Sequence, residues 1–248
     1  MLTEKPLKNK VLVLDLDETL VHSSDYKPNN WKILYSKINW KNSINKSNET
    51  AYTWIRPGAH KFLAQVSKLF EIMIFTASVP GYAKEVVKLL DHQNDWFPLF
   101  SRNDWIFQNG KYIKELSVLN RDLKHTIIVD NWPDSFCLNK FNGVPISSWY
   151  DDPNDNELEK IFVVLEYLNK VDDVRESIPN FVINNRISIS RLLSLSKSVK
   201  LIDYETTNSP NLFRKLKNEA AIITKDESTN EESNDSNQDN YYENHFPK

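Results

Sequence analysis

Three short apolar runs, each closing on a polar residue, organise the first half of the chain. Val11 to Leu14 stops at Asp15, Glu71 to Phe75 stops at Thr76, and Thr126 to Val129 stops at Asp130. Continuous β-branched runs of this length predict buried strands of a parallel sheet. Helical spacing fills the gaps. Pro57 suits a first helical position, with Phe62, Leu63, Val66 and Leu69 following; Tyr82, Val86, Val87 and Leu90 mark a second helix. A third is predicted to open at Asn154, with Glu157 three residues on in a capping box, and to carry the stripe Leu158, Ile161, Phe162, Leu165 and Leu168. Strands alternating with helices predict an α/β fold with a central parallel sheet covered on both faces. Ligands bind outside the carboxyl ends of such strands, so the polar strand ends are expected to share one edge.

Between Leu20 and Arg56 the pattern changes. Trp31, Ile33, Tyr35, Ile38 and Trp40 alternate with polar residues, and Tyr52 and Trp54 resume the alternation. This predicts a β-hairpin flap over about residues 21–55, with the Asn/Ser/Lys-rich stretch Lys41 to Thr50 at its tip. Trp105 to Ile113, centred on Asn109-Gly110, predicts a second hairpin. Past Ile178 the periodicity thins; Ile187 to Leu201 is a candidate helix interrupted by serines. Asp226 to Pro247 holds seven acids and no Lys or Arg. Such a stretch buries too little apolar surface to offset its ordering entropy and is expected to be disordered. The division expected is an N-terminal extension (1–9), a catalytic domain (10–178), a partly helical extension (179–224) and an acidic tail (225–248).

Composition narrows the classes. The 248 residues are 40% apolar and 26% charged, with a net charge of −3, so no global basic field points to direct nucleic-acid binding. The single cysteine, Cys137, excludes an internal disulfide and a cysteine-based zinc site. No apolar run approaches the roughly 18 residues of a membrane helix. A nuclear or cytoplasmic location is expected.

The strand ends carry the candidate chemistry. Asp15 and Asp17 flank Leu16, with Thr19 two residues on. One carboxylate can attack phosphorus and form an acyl phosphate. The other can protonate the leaving oxygen and then activate water. Thr19 can hold the turn through its hydroxyl. Taken alone, the pair also reads as a polar turn or a helix cap, and a bare Asp-X-Asp binds metal–nucleotide complexes in glycosyltransferases. Thr76 can bind phosphate oxygens, or it or Ser78 can simply cap a helix. Lys114 can balance phosphate charge, though alone it reads as a surface lysine. The Asn131 amide oxygen, with Asp15 and a backbone carbonyl, suits magnesium, a hard ion that keeps several waters; Asp130-Asn131 is equally good turn chemistry.

Asp15-Leu-Asp-Glu-Thr-Leu-Val-His-Ser-Ser24 resembles the first motif of the FCP/SCP phosphatases, the small RNA polymerase II C-terminal-domain phosphatases of the haloacid dehalogenase superfamily. The likeness continues through Arg56-Pro57, Phe75-Thr-Ala-Ser78, Tyr112-Ile-Lys-Glu-Leu-Ser117, Arg121-Asp-Leu123, Ile128-Val-Asp-Asn131, Ser148-Trp-Tyr-Asp-Asp-Pro153 and Val171-Asp-Asp-Val-Arg175. It implies a Rossmann-like fold and a magnesium-dependent phosphoserine/phosphothreonine phosphatase. Asp15 would be the nucleophile, and Asp17 the acid/base with its carbonyl on the metal. Asn131 would be a metal ligand, and Thr76 and Lys114 the phosphate holders. Asp130 would orient Lys114 or a metal-bound water. Arg102, twelve residues before Lys114, matches a family arginine that contacts the phosphopeptide. The chain departs from the family at Trp132, where a serine is usual, at Ile55, where a lysine is usual, and across the flap.

Thr19 to Thr76 leaves room only for a flap and one helix, and Thr76 to Lys114 only for a helix and a hairpin. Neither holds a lid domain, so an open crevice admitting a phosphorylated peptide is expected, with Trp31, Ile33 and Tyr35 lining a groove or packing the flap. The catalytic domain is expected to be monomeric, and the C-terminal extension is the candidate docking segment for a regulatory partner. Two alternatives stand beside the phosphoprotein phosphatase: a catalytically silent binding module of the same family, and a small-metabolite phosphatase of the same superfamily.

Overall fold

The computed structural model describes residues 8–27, 33–42, 46–91, 97–108, 110–188 and 191. The chain opens with β1 (Val11–Leu14) and the flap strands β2 (Val21–Ser24), β3 (Tyr35–Lys41) and β4 (Asn48–Ile55). Helix α1 (Ala59–Val66) leads to β5 (Glu71–Phe75), α2 (Pro80–Leu90) and β6 (Leu99–Phe100). A short hairpin, β7 (Ile106–Gln108) and β8 (Lys111–Ile113), precedes β9 (Thr126–Asp130) and β10 (Gly143–Pro145). Helices α3 (Glu157–Leu168) and α4 (Val174–Ser177) follow, with a final pair, β11 (Val182–Ile183) and β12 (Arg186–Ile187).

The central sheet runs β10-β9-β1-β5-β6, and every neighbouring pair is parallel. The period-2 alternation of each strand divides its side chains between two cores. Leu12, Leu14, Ile72, Ile74, Ile127 and Val129 point to the face covered by α1, α2 and α3. Val11, Val13, Met73, Phe75 and Ile128 point to the other, packed by Leu116, Leu119 and Phe136 from 3-10 segments rather than from long helices. Both faces are dry, which is why the strands read as unbroken apolar runs.

Register places the chemistry. Leu14 lies opposite Ile74 on one side and Val129 on the other. One rung further on, Asp15 falls beside Asp130, with Thr76 just past the end of β5. Backbone bonding continues into this rung, Asp15 N donating to Val129 O at 3.1 Å.

Several local expectations need correction. Helix α1 opens at Ala59 behind Gly58, whose φ of +79° suits glycine, so Pro57 lies before the helix and Leu69 beyond it. Asn154 does not cap α3. The helix opens at Glu157 after Asn156, and it is the neighbouring Asp155 whose Oδ1 accepts from Glu157 N, at 3.3 Å, while its two carboxylate oxygens also accept from Arg56 at 2.7 and 2.8 Å. The flap is a three-stranded antiparallel sheet, β2-β4-β3, because Val21–Ser24 pairs along β4. Ile187 belongs to a short strand rather than a helix. Trp31, Asn109, most of the 187–201 segment, residues 1–7 and the acidic tail lie outside the described residues.

Candidate active site

Asp15, Asp17, Thr76, Lys114, Asp130 and Asn131 line one crevice at the carboxyl edge of the sheet, joined by Trp105 and Trp132. Four separate segments supply them, and each ends a strand or follows one.

The turn after β1 explains why both acids reach the crevice. Leu16 is fully buried, and its carbonyl accepts from the backbone N–H groups of Thr19, Leu20 and Val21. Glu18 adopts a left-handed conformation, φ +57°, to close this loop. Leu16 therefore packs inward while its neighbours turn outward. The Thr19 hydroxyl leaves its own turn and donates to Asn131 Oδ1 at 3.1 Å, tying the first motif to the end of β9. Asn131 Nδ2 donates in turn to Ser148 Oγ at 2.9 Å, which fixes the amide's orientation.

Lys114 is 1% exposed, so its reading as a surface lysine is overturned. Its Nζ bridges Asp15 Oδ1 and Asp130 Oδ2, each at 2.6 Å, and lies 5.5 Å from the centre of the Trp105 ring. Asp130 is saturated, accepting also from Ser135 Oγ at 2.8 Å and Trp132 N at 2.7 Å. Burial pushes the Asp15 carboxyl up to about 8; Lys114 pulls against it, and Asp130 and Asp17 add to it. Burial alone would lower Lys114, but Asp130 and then Asp15 outweigh it and hold its pKa above the ordinary lysine value. One buried cation thus faces two buried carboxyl groups, and once both are ionised the trio is one positive charge short.

That deficit, with oxygen donors at hand, is what a hard divalent cation fits. Among the described residues no three His, Cys, Asp or Glu side chains converge as a metal cage. Asp15, a backbone carbonyl and the Asn131 amide oxygen are oxygen donors of the kind that could hold a hard ion such as magnesium.

Asp17 is held separately. Its Oδ2 accepts from Ser78 Oγ at 2.6 Å and more weakly from Thr76 Oγ1 at 3.5 Å, and its Oδ1 accepts from Tyr82 at 2.5 Å. Burial, then Asp17, push the Tyr82 hydroxyl well above the ordinary tyrosine range, so it stays a donor. Neither Thr76 nor Ser78 caps α2; that helix opens at Pro80 after Val79. Thr76 Oγ1 instead accepts from Ser78 N at 3.1 Å, and the Thr76 carbonyl accepts from Trp105 Nε1 at 2.9 Å. Arg102 lies beside this loop, its Nε donating to Ala77 O at 2.8 Å.

The crevice thus gathers all the strand-end candidates. Tyr82, Ser135, Ser148 and Trp105 were not anticipated from the sequence as site residues. Only Ser78, two residues after Thr76, left a local signal there, as a hydroxyl in the same loop.

A parallel Rossmann-like sheet with a carboxylate-rich crevice at its carboxyl edge and a small flap defines the class of fold as α/β. The structure of Fcp1, described as an essential RNA polymerase II CTD phosphatase, superposes with a TM-score of 0.50 at 20% identity, over 89% of this chain and 64% of that one; it bears on the fold alone. Residues 10–175 match the model of the NLI interacting factor-like phosphatases, and the chain belongs to that family. It is 40% identical over 167 residues to CTD small phosphatase-like protein 2 of Dictyostelium discoideum, 67% of this chain and 29% of that one. It is 39% identical over 176 residues to carboxy-terminal domain RNA polymerase II polypeptide A small phosphatase 2 of Mus musculus, 71% of this chain and 63% of that one. This chain therefore spans 29% to 63% of the length of these relatives.

Proposed function

We propose that this chain is a magnesium-dependent phosphoserine/phosphothreonine phosphatase working through a phospho-aspartate on Asp15. The observation that carries the proposal is the Lys114 bridge between Asp15 and Asp130, 2.6 Å to each, in a crevice that also holds Asp17 and Asn131. Burying a lysine and two carboxylates together carries a desolvation cost, and such a perturbed charge cluster in a crevice is where chemistry is expected.

In this mechanism an Asp15 carboxylate oxygen attacks phosphorus while the bond from phosphorus to the ester oxygen breaks. Asp17 delivers a proton to that departing oxygen, and the dephosphorylated hydroxyl leaves. Asp17, now anionic, takes a proton from a water, which attacks the acyl phosphate and regenerates Asp15. Lys114 and the Thr76 hydroxyl hold the phosphoryl oxygens, and Asp130 keeps Lys114 aimed at them. Asp15, the Asp17 carbonyl and Asn131 would hold magnesium, which supplies charge neutralisation at the phosphoryl group when bound. Arg102 is assigned to the peptide flanking the phosphoresidue.

The names of the relatives support a phosphorylated polypeptide, such as the RNA polymerase II C-terminal domain, as substrate class, with a nuclear or cytoplasmic site of action. Purified protein with magnesium is expected to release phosphate from a phosphoserine peptide. Asp15→Asn is expected to abolish turnover, by ~10³-fold or more, since no other group replaces the nucleophile. Turnover that survives Asp15→Asn or chelation of the metal would sink the mechanism.

A further inference from the structure

The flap is seated on α2 at the two residues that precede Ala83. At Gly81 a Cβ would stand 2.8 Å from the Lys41 carbonyl oxygen and 3.0 Å from the Trp40 ring, so only glycine lets β3 lie this close to the helix. The Trp40 ring meets Tyr82 edge-on, with centroids 5.2 Å apart. The Tyr82 hydroxyl is 2.6 Å from Ser23 Oγ on β2, and Ser23 Oγ is 2.7 Å from Thr53 Oγ1 on β4. All three flap strands therefore converge on one tyrosine.

The other partner of that tyrosine is Asp17 Oδ1. Asp17 Oδ2 is held differently, by Ser78 and Thr76 from the loop after β5. Thr76 lines the crevice, so a phosphoryl oxygen arriving there competes with Asp17 for the hydroxyl hydrogens of this loop. Tyr82 does not face that competition, because it approaches Asp17 from the flap side. Substrate at Thr76 can take only the weaker of the two Oδ2 contacts, and the Tyr82 bond on Oδ1 is out of its reach, so Tyr82 fixes the carboxylate from the flap side.

We propose that Tyr82 is a positioning residue for the acid–base step: it joins the flap to Asp17, so that the seating of the flap sets the direction of the carboxylate. The inference rests on Asp17 acting as acid and base in the reaction proposed above. It gives the flap a part in turnover as well as in peptide binding.

The test uses the full chain with magnesium and p-nitrophenyl phosphate, a substrate too small to rely on flap contacts. Tyr82→Phe keeps the ring and removes the hydroxyl; kcat is expected to fall about 10- to 100-fold with KM within about twofold. Ser23→Ala and Gly81→Ala alter only the flap side, and each is expected to lower kcat about threefold or more. Ser23→Ala added to Tyr82→Phe is expected to cost nothing further, since both act through one hydroxyl. Unchanged kcat in both flap-side variants, or full additivity of the pair, overturns the inference while leaving the phosphatase reading intact. If the wild-type protein hydrolyses nothing, that reading fails, and crystal structures of Ser23→Ala and Tyr82→Phe still decide the inference. An Asp17 carboxylate turned from its present position in both supports it, and an unmoved one overturns it.

Discussion

Asp15, Asp130 and Lys114 are all buried, and ionising both carboxyl groups leaves one negative charge uncompensated. The Asp15 carboxyl, raised by burial from 3.8 to about 8, has a folded pKa above its unfolded one. The folded state therefore binds the extra proton, and the contribution of Asp15 to stability falls as pH rises from about 4 to about 8. Asp15→Asn is accordingly expected to melt a few degrees higher than wild type in metal-free buffer at pH 8, with a smaller difference at pH 5. Lys114→Met has the opposite sign. It strands two carboxylates with no cation and is expected to cost about 3–5 kcal/mol near neutral pH. Thermal melts of both variants in chelator, at the two pH values, check the pair of signs together.

At the scale of elements, the site depends on how loops are fastened to the sheet. Arg56, at the end of β4, is 1% exposed and binds Asp155 through two nitrogens before α3, while its Nη1 donates to Thr19 O at 3.0 Å. One guanidinium thus holds the first motif, the flap base and the start of α3. Arg56→Met is expected to destabilise the fold by about 2–4 kcal/mol, because it leaves Asp155 and the Thr19 carbonyl short of partners. Arg56→Lys recovers only part of this, since an ammonium cannot make the two-pronged contact. Urea unfolding of the two variants measures the difference. Arg56 also marks a limit of legibility. The strand ends Asp15, Thr76 and Asp130 are readable in the sequence because buried parallel strands are unbroken apolar runs, and a polar residue ending one stands out. Arg56, Tyr82 and Ser148 are not readable in this way. Tyr82 sits on the apolar stripe of α2 and reads as core, and its hydroxyl partner lies 65 residues away in the chain. The capping box at Asn154 misleads by one residue: Asp155 accepts from Glu157 N, and local pattern cannot reveal that Arg56, 99 residues earlier, holds that carboxylate in place.

At the scale of the molecule, the decisive feature is how little of the described chain covers the crevice. Between Thr19 and Thr76 the chain adds the flap sheet and α1, and between Thr76 and Lys114 it adds α2 and the β7–β8 hairpin. Among the described residues neither insert encloses a small metabolite, so binding energy is expected from surface beside the phosphoryl group, which a peptide chain offers and a sugar phosphate does not. A phosphoserine peptide is therefore expected to exceed a sugar phosphate in kcat/KM by ~10²-fold or more. The walls of the crevice refine this. Trp105 is fastened to the Thr76 carbonyl and stacked edge-on against Phe75, with ring centroids 6.4 Å apart, so it belongs to the framework. Trp132 stands on the turn after β9, lines the crevice, and replaces the serine usual in the family. Its indole would offer apolar area to the residues flanking a bound phosphoserine. Trp132→Ser is expected to raise KM for a phosphopeptide about 10-fold while leaving kcat, and both constants for p-nitrophenyl phosphate, within about twofold. An equal fall in kcat on both substrates would instead place Trp132 in the support of Asp130, whose carboxylate accepts from its backbone N–H.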